Sequence, residues 1–291
     1  MMAALKGLPR ARVASLALIA VGLVAGSLGD RPRRAEPMSL GGYRVLAADF
    51  HMHSSMWSDG AFTPWGLVLE AERQGLDAIA VTGHNEVWDG QLAARFSRAV
   101  SGPIVIGGQE VLAEGRFHMI AAGVREVVDF RKSATDVIED VHRQGGIAIA
   151  AHPFHTHVAG WDAAVRLLDG GEICHPNIFW HQAGQAELEE FAARQPMAAI
   201  GSSDFHGTGR MGVCRTYVFV REASAQGVLD AVRAHRTVVF GLGDRVYGDP
   251  DLVKYAGVLR GRAPARGARG TALDWVSRIS ALAGFAGLLL L

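Results

Sequence analysis

The sequence predicts an α/β fold in which a parallel sheet is covered by helices, and three observations carry that reading. Short apolar runs alternate with helical stretches from about residue 43 to residue 240. Helix-start and helix-stop residues fall between those runs. Metal-capable side chains stand where the runs finish, the end at which an α/β barrel gathers its active site. A closed barrel and an open doubly wound sheet both satisfy the alternation.

Taken in order, the strands are expected at VLAADF (45–50), AIAVT (78–82), IVIGG (104–108), HMIAAGV (118–124), IAIAA (147–151), MAAIGS (197–202) and TYVFV (216–220). Thr63 before Pro64 suits a helix N-cap followed by proline in the first turn, with Gly75 as the stop. Ser133 and Asp136 form a capping-box pattern, and that helix should end at Gly145–Gly146. A further helix is expected over 224–236. His152 precedes Pro153, which favours an extended backbone at the histidine. No GxGxxG opens a helix after the first strand and no GxxxxGK[ST] occurs, so nucleotide-binding folds lose their usual support.

Four stretches are expected: a hydrophobic signal or anchor with its linker (1–42), the catalytic barrel (43–240), a Gly/Arg-rich tail and linker (241–270) and a hydrophobic C-terminal segment (271–291). Residues 13–29 carry no charge, follow Lys6, Arg10 and Arg12, and would span about 26 Å as a helix. They suit a cleaved signal peptide or a retained anchor equally. The uncharged last thirteen residues, preceded by arginines, are short for a span. Together the ends predict membrane association, with the catalytic domain on either the cytoplasmic or the exported side. The 29 basic and 29 acidic residues balance, so no partnership with long nucleic acid is expected. Nothing in the sequence indicates a protein partner. Cys174 and Cys214 form no CxxC and are expected to be two small buried side chains.

Eleven of the twelve histidines lie between residues 51 and 206, and their placement is more telling than their number. His51 and His53 follow the first strand, His84 follows AIAVT, Glu110 follows IVIGG, His152 follows IAIAA, and Asp204 and His206 follow MAAIGS. His118 opens its strand instead of closing it. Five strand ends delivering His, Asp or Glu to one rim imply a metal site. Imidazole and carboxylate donors suit Zn²⁺, Mn²⁺ or Fe²⁺, and the lack of clustered thiolates excludes an iron–sulfur cluster.

In HMH (51–53), SDG (58–60), TGHN (82–85), the glutamate of GGQEV, His118, AHP (151–153) and SDFH (203–206), the chain resembles the PHP family, named for its polymerase and histidinol phosphatase members. The resemblance covers roughly residues 43–240 and implies a distorted barrel of seven βα units. It implies that His51, His53, Glu110 and Asp204 hold one ion, and that Asp59, His84 and His206 hold a second. His118 and His152, with Glu110 as bridge, would hold a third. Asp49 resembles the carboxylate that orients a ligand histidine from behind. TGHN departs from the pattern of many relatives, which carry aspartate where Asn85 stands.

Two or three divalent ions set among three carboxylates make a cationic pocket in a neutral protein. Such a pocket attracts phosphate and brings the pKa of bound water toward neutrality. The leading expectation is therefore a phosphoesterase acting on a small-molecule substrate through a trinuclear centre and a metal-activated hydroxide. Asp204, His155 and His157 are the candidate catalytic side chains, the two histidines as proton donors to a leaving group. Arg116, Arg210 and Arg215 are candidate phosphate grips. Hydrolysis of a carbamate, amide or carboxyl ester is the alternative chemistry. A carbamylated lysine cannot bridge these ions, because lysine occurs only at positions 6, 132 and 254, away from the strand ends. A membrane-tethered, non-catalytic metal-binding module is the alternative without chemistry.

Overall fold

The computed structural model describes residues 10–29, 37–113, 116–154, 160–179, 182–243, 245–261 and 272–290. The chain forms two units, one of residues 1–33 with 263–291 and one of residues 34–262. The first contains α1 (Arg10–Gly29).

In the second unit the expected caps are in place. Thr63 accepts the backbone N–H of Gly66 and so opens α2 (Pro64–Arg73), with proline in its first turn. Ser133 opens α4 (Ala134–Arg143) in the same way, and the chain turns through Gly145 at φ 79° after it. Ser224 caps α6 (Ala225–Arg233), within the expected 224–236. The remaining helices are α3 (Trp88–Val100), α5 (Gln182–Ala192), and the short α7 (Pro250–Val253) and α8 (Ala256–Gly261).

The described strands are β1 (Met38–Leu40), β2 (Tyr43–Asp49), β3 (Ala78–Val81), β4 (Ile104–Ala113), β5 (Phe117–Ala122), β6 (Ile147–Ala150), β7 (Gly170–Cys174), β8 (Ala198–Gly201), β9 (Thr216–Val220), β10 (Thr237–Phe240) and β11 (Val246–Gly248). They join in the order β11-β10-β9-β2-β3-β4-β5-β6-β7-β8, with β1 paired to β2 outside that path. The sheet is mixed rather than parallel. β2, β3 and β4 run parallel, as do β6, β7 and β8, but β5 is antiparallel to both of its neighbours and β9 is antiparallel to β2. The ring nearly closes where Gly201 of β8 meets Val239 of β10. A distorted α/β barrel results.

One apolar layer fills the barrel. Leu46, Ala48, Ala80, Ile106, Ile120, Ile147, Ile149, Ile200 and Val218 are buried with Val228, Leu229 and Val232 of α6, which touches β4, β6 and β9. The opposite faces of the strands pack under the outer helices, as Ile79 and Val81 do against Leu67, Val68 and Ala71 of α2. With its apolar plug built around α6, the barrel holds its polar cluster at the strand C-termini. Residues 245–261 of the stretch expected as tail and linker continue the unit instead: β11 pairs with β10, and Leu252 and Leu259 are buried in the core.

In the other unit, α9 (Ala272–Leu289) lies against α1 along a seam of small residues. A Cβ on Gly22 would come 2.9 Å from the Ser277 carbonyl oxygen, and one on Gly284 would come 2.6 Å from that of Ser15. Arg10, Arg12 and Arg278 lie within these helices and shorten their uncharged stretches. Among the described residues, no helix is long and apolar enough to cross a membrane.

Candidate metal centre

Each strand that ends at the polar rim contributes to one cluster. Glu110 on β4 is its buried centre, and its two oxygens serve different histidines. Oε2 lies 2.9 Å from His84 Nδ1, 3.3 Å from His51 Nε2 and 3.5 Å from His53 Nε2. Oε1 lies 3.2 Å from His152 Nε2 and 3.3 Å from His118 Nδ1. Asp204 places Oδ1 3.1 Å from His53 Nε2 and 3.3 Å from His51 Nε2. Asp59, with 60% of its side chain exposed, faces His84 Nε2 at 3.3 Å and His206 Nε2 at 3.2 Å. All nine residues named from the sequence as metal ligands therefore meet in one place.

The rim position of His118 follows from strand direction. β5 runs opposite to β4, with Leu112 paired to His118, so the start of β5 lies beside the end of β4. A residue that opens an antiparallel strand reaches the same rim as residues that close parallel ones.

Hydrogen bonds behind the rings decide which nitrogens face inward. Nδ1 of His51 lies 3.1 Å from the Glu172 carboxylate, a pure acceptor, so in the neutral ring that would bind metal the proton sits on Nδ1 and Nε2 presents a lone pair. His53 Nδ1 donates to Ser58 Oγ at 3.1 Å, which leaves its Nε2 bare as well. The same hydroxyl accepts the His84 backbone N–H and donates to Asp59, so the serine of SDG is fully used. His206 Nδ1 donates to the Asp204 carbonyl at 2.8 Å, turning its Nε2 toward Asp59. Gly60 closes this loop because a Cβ there would lie 2.1 Å from the His53 carbonyl oxygen.

Electrostatics fit a cation site. Burial raises the Glu110 carboxyl, but His51 and the bonds from His118 and His152 outweigh it and hold the group well below the usual carboxylate range. Asp204 is lowered in the same way, with His51 as its largest opposing partner. His51 is pushed well above the ordinary imidazole value: burial lowers it, and the charges of Asp204, Glu110 and Glu172 overcome that. Ionised carboxylates around buried, inward-facing imidazoles make a donor set of the hard and borderline type that divalent transition ions take. Among the described residues, four overlapping sets bring their donor atoms within 4.8 Å of one another: His53–Asp59–His84–His206, His51–His53–Asp204, His51–Glu110–His152 and His152–His175–Asp204. The residues present fit bound divalent metal.

A two-domain protein of Bacteroides vulgatus, described as containing a predicted PHP-like metal-dependent phosphoesterase, matches at a TM-score of 0.60 and 25% identity. The match covers 77% of this chain and 72% of that one. A family model described as PHP-associated matches residues 186–237. These likenesses support the PHP family. An uncharacterised protein of Methanocaldococcus jannaschii is 27% identical over 119 residues, 38% of this chain and 68% of that protein.

Several details of this PHP-like barrel differ from the sequence expectations. His152 is not extended before its proline but has φ 27°, held by its N–H donating to Glu172 Oε2 at 2.5 Å and by Phe154 N–H bonding back to its carbonyl. Asp204 is likewise left-handed, at φ 47°. Strained backbone of this kind persists only where surrounding bonds over-determine it. Asp49 does not sit behind a ligand imidazole. Its oxygens accept from Ser203 N–H and Oγ, from Gly212 N–H and from the backbone N–H of His51, so it fixes the loop that carries the ligands. Glu172 orients the imidazole in its place. Asn85, at φ 51°, pairs with both the N–H and the C=O of Leu112, which needs a donor and an acceptor that aspartate could not supply together.

The expected phosphate grips are committed elsewhere. Arg116 donates to the carbonyls of Phe130 and Lys132, Arg210 donates to Gln74 Oε1, and Arg215 donates to the carbonyls of Gly212 and Gln74. His155, His157 and His181 lie outside the described residues. Cys174 and Cys214 are buried as expected but are also joined in a disulfide, with Cα atoms 5.5 Å apart. Parallel pairing of β7 with β8 puts Cys174 beside Gly201, whose bare Cα admits the Cys214 backbone. One site residue was missed altogether, Glu172, because GGEIC did not read as a strand, and His175 reads from the sequence only as either a core or a pocket residue.

Proposed function

We propose that the protein is a metal-dependent hydrolase, and specifically a phosphoesterase with a trinuclear metal centre. The observation that carries this is Glu110, whose two oxygens are divided between two groups of inward-facing histidines while Asp59 and Asp204 close two further sets. One bridging carboxylate with separate ligand sets on either side suits several ions held close together. Bound divalent ions supply Lewis acidity toward a phosphoryl oxygen and an acidified water. The chain's own groups hold that donor set rigid: Glu172, Ser58 and the Asp204 carbonyl fix three imidazoles, and Asn85 fixes the turn behind His84.

With Arg116, Arg210 and Arg215 engaged elsewhere, phosphate binding falls to the cationic centre itself. That favours a small phosphoester over a multiply charged one. The likeness to the Bacteroides vulgatus protein supports the phosphoester reading. The protein, loaded with Mn²⁺, Zn²⁺ or Fe²⁺, should release phosphate from a phosphomonoester or an alcohol and a phosphomonoester from a phosphodiester, and His51→Ala should abolish that hydrolysis. Cleavage of a matched carboxyl ester or carbamate alone would transfer the assignment to that chemistry. Metal binding with no turnover of any of these substrates would favour a non-catalytic module.

We also propose that the catalytic unit works at a membrane surface on the exported side. Exposed apolar side chains on the terminal helices, among them Leu23, Val24, Ile279, Leu282 and Phe285, support surface association. The disulfide supports an oxidising compartment. Flotation of the protein with lipid vesicles tests the association, and a protein that stays in the soluble fraction argues against it.

A further inference from the structure

His175 lies at the end of β7 and belongs to one of the four candidate ligand sets, with His152 and Asp204. It is 1% exposed, and its Nε2 completes no hydrogen bond although it points at Asp204 Oδ2 from 3.4 Å. Distance alone would make it a tenth metal ligand. The other ring nitrogen argues against that. Nδ1 of His175 accepts the backbone N–H of Asn177 at 3.3 Å, in the turn that follows Pro176. A nitrogen that accepts an N–H carries no proton of its own, so in the neutral ring the proton is on Nε2. The logic that bares Nε2 of His51, whose Nδ1 faces a carboxylate, therefore protonates Nε2 of His175, whose Nδ1 faces a donor.

We infer that His175 is a positioning residue that donates to Asp204, not a ligand of the metal centre. This inference rests on the metal-centre reading above. Its consequence is specific: Oδ2 of Asp204 is reserved for His175, and Oδ1, which faces His51 and His53, is the one oxygen offered to metal. The arrangement is braced from several sides. The ring of His175 packs edge-on against His152, with centroids 5.1 Å apart, and against Phe154 at 6.0 Å, so it cannot swing. Cys174, its neighbour, accepts the Ser202 N–H and is bonded to Cys214, which ties the end of β7 to both flanks of the segment carrying Asp204. A left-handed Asp204 draws on such a hold, because the left-handed region is costlier than the right-handed one for an L-residue.

Two measurements test this on the full-length protein. Long-range ¹H–¹⁵N spectra of the metal-free protein should show His175 in the Nε2–H form, and an Nδ1–H form would overturn the inference whether or not metal binds. Metal content and affinity, by elemental analysis and chelator competition with Zn²⁺, should then separate the roles. His175→Ala should keep the wild-type number of ions and bind them about 10- to 100-fold more weakly, the range for loss of a supporting hydrogen bond. His175→Gln, which restores a donor near the Nε2 position, should recover most of that affinity. Loss of a whole ion in His175→Ala, matching His51→Ala, would make His175 a ligand, and unchanged affinity would remove it from the site. A wild-type protein that binds no metal at all would instead overturn the metal-centre reading, while the spectra still decide the tautomer.

Discussion

Replacing Glu172 with glutamine changes one atom and should disable one ligand without unfolding the protein. The carboxylate is buried and accepts twice, from His51 Nδ1 at 3.1 Å and from the His152 backbone N–H at 2.5 Å. Glutamine offers one acceptor and one donor group. The His152 N–H cannot change its character, so the glutamine oxygen must face it. The NH₂ group then faces His51 Nδ1, and His51 can satisfy it only by moving its proton to Nε2. Every buried group stays bonded once His51 is neutral, so the metal-free protein should stay folded, its loss of stability confined to the Glu172 charge that had raised His51. The ligand nitrogen, however, now carries a proton and points it at Glu110 and Asp204. Loss of such a carboxylate–histidine contact weakens metal about 10- to 100-fold, or roughly 1.4 to 2.7 kcal/mol. Chelator competition with Zn²⁺ measures the affinity, and long-range ¹H–¹⁵N spectra report the His51 tautomer. Wild-type affinity together with an unchanged tautomer would refute the reasoning, because Glu172 would then be a packing residue only.

Three further outcomes are expected. Cys174→Ser with Cys214→Ser opens a link across 40 residues, which the chain-entropy model puts at about 4 kcal/mol of stability; urea titration with and without reductant should show the same loss in the wild-type protein, and no shift would count against the bond. Asn85→Asp removes the donor to the Leu112 carbonyl and should cost roughly 1 to 3 kcal/mol in the same titration, with equal stability contradicting the paired-amide reading. Glu86 is pushed up to about 9 by burial and by its partner Asp89, so the folded state keeps a proton that the unfolded chain gives up near the ordinary carboxylate value. Its contribution is complete in acid and lost as pH rises through about 9, so wild-type stability should fall across that window and Glu86→Gln should flatten the fall; identical pH profiles would refute it.

Much of the site was legible because ligand chemistry is carried by residue type at strand ends. His51, His53, His84, Glu110, His152, Asp204 and His206 each follow an apolar run that does form a strand, and the run fixes which end of the barrel the next residues reach. β7 escaped because Gly170 and Gly171 give it no apolar pattern. It is a strand because its backbone pairs with β6 and β8, and glycine suits the close approach: a Cβ on Gly170 would lie 2.9 Å from Ile200 Cγ1. Glu172 was hidden with it, and His175 could not be assigned between core and pocket. The arginines misled for a related reason, since proximity in sequence to a ligand does not say which carbonyls a long side chain will find first.

The sequence by itself thus determined which groups are available for metal and, through its strands, that they gather on one rim. Tertiary structure decided strand direction at β5, the pairing of Cys174 with Cys214, and above all where the protons sit on the imidazoles. A histidine is ligand or donor according to the partner of its outer nitrogen. For His51 that partner, Glu172, lies 121 residues away, within reach only once β7 has taken its place in the barrel.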